Sequence, residues 1–136
     1  MNVKVLKTRK YRAGYEVRTE LVNVGGDKPI EMRSAYTPNG DYIGSPKIAR
    51  YLVVKRGIKP EKAHPSDNVC SIGFCEKEQK WYGWSHRAIF GFGIGDTLFE
   101  EEYGDDHTLF SEHGTVQIET LEQARQAAIN FAEYVS

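Results

Sequence analysis

From Thr120 onward the chain carries the pattern that most limits its fold. Thr120 and Gln123 form a capping box, and Leu121, Ala124, Ala128, Phe131 and Val135 recur at helical spacing. A helix over 121–135 has one apolar face and holds only if that face lies on a second layer. The rest of the chain offers strands to build it. Tyr15, Val17, Thr19 and Leu21 alternate with Glu16, Arg18 and Glu20, and Ile30, Met32 and Ser34 alternate with Glu31 and Arg33. Gly25-Gly26-Asp27 separates the two runs, so they are expected to pair as a hairpin. Indeed the first forty residues read as strands, up to the turn signal Pro38-Asn39-Gly40-Asp41.

Ser45-Pro46 opens a first helix, with a hydroxyl at the N-cap and proline where no N–H is needed. Ile48, Tyr51 and Leu52 form its apolar stripe, and Gly57 closes it after Lys55-Arg56. Residues 59–68, with Pro60 and Pro65, read as a loop. Val69 to Cys75 and Lys80 to Ser85 read as a second hairpin with the charged tip Glu76-Lys77-Glu78-Gln79, and Ala88 to Ile94 as a further strand. The expected fold is therefore α+β, an antiparallel sheet of five or six strands packed with two helices (46–56 and 121–135), in one domain over 1–136.

At 136 residues and a net charge of −1, nothing in the overall balance recruits nucleic acid or an anionic membrane. No apolar run approaches membrane-span length, and Met1 is followed by Lys4, Lys7, Arg9 and Lys10 rather than by an apolar signal core. A reduced, cytoplasmic protein is expected, with Cys70 and Cys75 as buried small hydrophobes. Charge is nonetheless segregated. Residues 1–87 hold seventeen Lys and Arg against nine Asp and Glu, whereas residues 88–124 hold nine Asp and Glu and no Lys or Arg.

The stretch from Lys80 to Asp96 is densest in chemistry. It holds both tryptophans, and on a strand Trp81 and Gly83 face one way while Tyr82 and Trp84 face the other. Flat rings beside His86 and Arg87 suit stacking on a base and gripping a phosphate. The competing reading makes the tryptophans core residues and pairs Arg87 with an acid of segment 100–106. Gly91 and Gly93 alternate with Phe92 and Ile94. That is not a dinucleotide fingerprint; it strips one strand face, so that an aromatic ring or a ligand approaches closely. The candidate ligand site is thus Trp81, Trp84, His86, Arg87, Gly91 and Gly93. Asp105, Asp106 and His107 are the residual metal candidates. Their spacing matches neither a calcium loop nor a zinc helix, so a solvated acidic loop is expected, and no cofactor. The run Lys4, Lys7, Arg9, Lys10 and Arg12, with Lys47, Arg50, Lys55, Arg56, Lys59 and Lys62, predicts a basic surface in which Tyr11 and Tyr15 are interleaved. No helix-turn-helix, zinc-finger or RNA-recognition signature accompanies it, and a solvated face is the expected role.

The segment Cys70-Ser71-Ile72-Gly73-Phe74-Cys75, followed by Glu76 through Trp81-Tyr82-Gly83-Trp84-Ser85-His86-Arg87-Ala88, resembles a group of small proteins carried by bacteriophages and prophages. Arg18-Thr19-Glu20, Ala35-Tyr36-Thr37-Pro38 and the closing helix are similar to the same group. The resemblance implies a context, a small accessory protein in the host bacterial cytoplasm, with no activity and no catalytic residues to carry over. The leading reading is a non-enzymatic binding module for a nucleotide-like anion or a host protein. The alternatives are a metal-assisted or acid–base hydrolase using His86 with Asp105, Asp106 and His107, and a DNA-binding accessory protein whose affinity falls steeply with salt. Aromatic residues make up 12% of the chain, more than one such domain readily buries, which favours a symmetric pair.

Overall fold

The computed structural model describes residues 2–23, 25, 26, 28–99 and 115–136. It is an α+β fold dominated by sheet. A first antiparallel sheet runs in the order β1 (Asn2–Tyr11), β2 (Tyr15–Asn23), β3 (Ile30–Tyr36), β4 (Tyr42–Gly44). Helix α1 begins at Pro46–Ala49 and continues as a π-helical turn over Arg50–Lys55. A second antiparallel sheet follows, in the order β5 (Ile58–Lys62), β6 (Cys70–Cys75), β7 (Lys80–Trp84), β8 (Ile89–Gly93). Two short strands, β9 (Thr97–Phe99) and β10 (Thr115–Gln117), pair with each other, and α2 (Leu121–Val135) closes the described chain.

The second sheet is the middle layer. On one face it carries α2, with Ile72, Phe92, Leu98 and Ile118 meeting Ala124, Ala127, Ala128, Ile129 and Ala132. On the other, Cys70, Cys75, Tyr82 and Trp84 meet Ala49 and Leu52 of α1 and Tyr15, Val17 and Ala35 of the first sheet. The small helix residues have a physical counterpart. A Cβ at Gly83 would fall inside the Ala128 carbonyl, so this glycine lets α2 lie directly on the sheet.

Both helices start as their sequences dictate. Ser45 accepts from the Ile48 N–H at 3.2 Å with Pro46 in the first turn, and Thr120 and Gln123 make the full capping box. Gly57, at φ +67°, stands just past the first helix.

Two expectations need correction. The strands form two four-stranded sheets and a small ribbon rather than one sheet of five or six. Part of the expected 59–68 loop is strand β5, with Pro60 opposite Gly73. Proline is tolerated there because β5 is an edge strand, with one side of its backbone free of the ladder.

Candidate functional site

The hairpin joining β1 and β2 turns through Arg12-Ala13-Gly14. Gly14 sits at φ +105° and donates its N–H to the Tyr11 carbonyl at 3.1 Å. Closing the hairpin here sets Tyr11 directly opposite Tyr15, and their rings stack at 4.8 Å and 8°. The Arg9 guanidinium lies 5.2 Å from the Tyr11 ring centre. Tyr15 is buried, and Val17, further along β2 on the same face, joins it in the core.

Helix α1 lies alongside this hairpin end. Ala49 and Leu52 turn into the core with no exposure at all. The adjacent flank presents Lys47, Arg50, Tyr51, Val54 and Lys55 toward the tyrosines. Between hairpin and helix is a groove of about 750 Å³, its floor made by Tyr11, Tyr15, Val17 and Pro46. Tyr51 and Val54 are exposed along its rim, 43% and 52% respectively.

The electrostatics of this groove are one-sided. Among the described residues its lining includes three cations and no carboxylate. Among the described residues Lys47, Arg50 and Lys55 form no ion pair. The Tyr15 hydroxyl is held above its ordinary range, first by burial and then by Tyr11, with Arg50 and Arg9 pulling the other way. An apolar, aromatic floor with unpaired cations at its rim suits a small anion with a flat apolar part.

A second groove of about 630 Å³ offers the contrast. It is lined by Lys59, Lys62, Asp41 and Glu61 among others, and Lys62 is already paired with Asp41 at 3.3 Å.

The residues singled out from sequence are not gathered at one place. Trp81 lies on the α2 side, 5.1 Å from the Phe74 ring centre, with Arg125 at 5.4 Å from its own. Trp84 points to the opposite face, is only 3% exposed, and donates its indole N–H to the Ile43 carbonyl at 3.1 Å. The pleat separates the two rings, so one pocket cannot use both. Trp84 and His86 do share a cleft of about 340 Å³ with Tyr42, Ile48 and Cys70. Arg87 is exposed beside His86, its Nε 3.2 Å from the imidazole Nε2. Gly91 is covered by the Tyr82 ring and Gly93 by the Lys80 stem, and Gly93 donates its N–H to Asp96 at 2.7 Å.

Asp105, Asp106 and His107 lie outside the described residues, as do the acids of 100–106 considered as partners of Arg87. Cys70 and Cys75 are both buried and free. Burial is the main cause pushing the Cys70 thiol up to about 12, which keeps it a thiol rather than a nucleophilic thiolate. Among the described residues no helix is long and apolar enough to cross a membrane.

The groove was only partly legible in the sequence. Its cations and tyrosines stand out as a basic, tyrosine-interleaved set. Nothing in the linear order shows that the hairpin end lies against the helix flank.

The model of one protein family, described as type I Thoeris inhibitor Tad6, matches residues 8–136. No curated protein matches the chain. No solved structure matches it either.

Proposed function

The chain belongs to the Tad6 family of type I Thoeris inhibitors, phage-associated anti-defence proteins, and from that premise we propose that it inhibits by binding, taking a nucleotide-like anion in the groove between the β1–β2 hairpin and α1. One observation carries this reading. Among the described residues, Lys47, Arg50 and Lys55 surround a tyrosine floor with no carboxylate in the lining and no ion pair. A fold has no stability reason to crowd like charges there, whereas a phosphate-bearing ligand would neutralise them. The exposed Tyr51 ring gives a flat surface for a base, and Arg50 and the lysines give donors for phosphate oxygens. An inhibitor of this kind acts stoichiometrically, and the ligand leaves unchanged.

The test is native mass spectrometry of the protein isolated from bacteria with an active type I Thoeris system, together with calorimetric titration of ADP as a probe. The expected result is a retained mass of nucleotide size, ADP binding, and loss of both in Arg50→Glu. Replacing a charge-assisted hydrogen bond by repulsion should weaken binding at least about tenfold. Defence inhibition in cells should fall in parallel. A bare wild-type chain that ignores ADP, or an Arg50→Glu protein that inhibits as well as wild type, overturns the proposal.

A further inference from the structure

Among the described residues the far half of the first sheet is a single layer. Among the described residues strand β1 is at the edge, bonded to β2 alone, and its residues from Val3 to Lys10 are all exposed. Residues opposite each other in an antiparallel ladder share a face, which sorts the side chains. Val3, Val22 and Ile30 form one row and Val5, Glu20 and Met32 the next, on the face turned away from α1. Val3, Val5, Ile30 and Met32 are each about half exposed, so this face keeps an apolar patch in water. The other face carries Lys4, Lys7 and Arg9 along β1 and Arg33 on β3, with Glu31 the one acid in the described ladder on that face.

An edge of this length exposes unpaired backbone donors and acceptors, and a strand that adds to it extends the ladder. The two faces dictate what that strand must look like: apolar residues on the Val3–Val5 side, acidic residues on the Lys4–Lys7–Arg9 side. We propose that β1 receives an extended strand of a partner protein in which acidic and apolar residues alternate. A second copy of this chain is the wrong partner, because it would set the cations Lys4, Lys7, Arg9 and Lys10 of one copy close to those of the other. The register shift between Val5 and Lys7 also spoils a flat self-pairing edge. Features that blunt self-association thereby select for opposite charge.

The test uses the full chain and two labelled ten-residue peptides, one alternating Glu and Val, the other Lys and Val. Fluorescence anisotropy reads binding, and hydrogen exchange reads protection along residues 2–11. The Glu–Val peptide should bind and slow exchange in β1, and the Lys–Val peptide should not. The double variant Lys4→Glu/Lys7→Glu, exposed at both positions, should lose about tenfold toward the acidic peptide and gain the basic one. Val5→Asp should weaken the acidic peptide from the apolar side. Arg50→Glu should leave the peptide result unchanged, which separates this edge from the groove. Equal uptake of both peptides, no protection of β1, no exchange of preference in the double variant, or loss in Arg50→Glu would each overturn the proposal. So would a peptide-free dimer whose β1 amides are already protected.

Discussion

Arginine and tyrosine meet at both ends of α1, with different outcomes. Just past its C-terminal end, Arg56 donates to the Tyr82 hydroxyl at 2.6 Å, Tyr82 donates to Glu78 at 2.8 Å, and Arg56 stands 3.7 Å from the same carboxylate. The charge is met there by an acid, although the Arg56 Nε is buried without a hydrogen-bond partner among the described residues. Tyr82 is buried, and its ring covers the bare face of Gly91. Along the helix flank, Tyr11 and Tyr15 stack in a groove lined by Arg50, Lys47 and Lys55, with no carboxylate among the described lining residues. The same residue types thus make a packing element where an acid joins them and leave an open valence where no described acid does. Composition cannot separate the two cases; the location of the carboxylate does.

The largest effect is expected at Tyr82. Tyr82→Ala uncovers Gly91 and removes both hydrogen bonds, and should cost about 3–5 kcal/mol in a urea unfolding measurement, the range for large aromatic truncations. Equivalent removal of Tyr51 at the groove rim, 43% exposed, should change stability by no more than about 0.5 kcal/mol. If Tyr51→Ala unfolds the protein, the flank is a packing element too. Next in size is Arg50→Glu, expected to cost ADP binding at least about tenfold while the urea midpoint stays put. A shifted midpoint would place Arg50 with Arg56.

Glu78→Gln sharpens the contrast at smaller scale. The pair it belongs to is partly solvated, so the loss should stay below about 1 kcal/mol. The pH dependence gives its signature. The Glu78 carboxyl is held below its ordinary value of 4.5, chiefly by the Tyr82 hydroxyl. Its contribution is therefore present above that value and lost as pH falls through the depressed one. Tyr82 runs oppositely: burial and then Glu78 push it up from 10.0 to about 12. The folded state favours the protonated phenol, so stability is full below pH 10 and declines between about 10 and 12. Tyr36, raised to about 12 by burial and by its bond to Glu20, adds to the same decline. Tyr82→Phe should make the alkaline loss shallower without abolishing it, and a profile identical to wild type would contradict the assignment. Smallest of all is Arg125→Ala. Arg125 pairs with Glu61 at 3.1 Å over Trp81, yet both charges are in contact with solvent, and the change should stay within about 1 kcal/mol.

The local pieces are legible in the order of residues alone. The capping box at Thr120, the Ser45-Pro46 start, the Gly57 stop and the Glu76–Gln79 tip all depend on groups within a few residues of one another, and all stand where they were read. Sheet count and strand β5 did not follow, because an edge position that tolerates Pro60 is defined by neighbours distant in the chain. The tryptophans show the same division. Alternation told that Trp81 and Trp84 point apart, but only the layers on either side revealed that α2 takes one and the Ile43 carbonyl the other. The assembly of the groove belongs to the tertiary level. Its cations and tyrosines are visible as letters, but whether a charge is neutralised depends on which carboxylates fold to within a few ångströms of it, and that distance is decided in three dimensions.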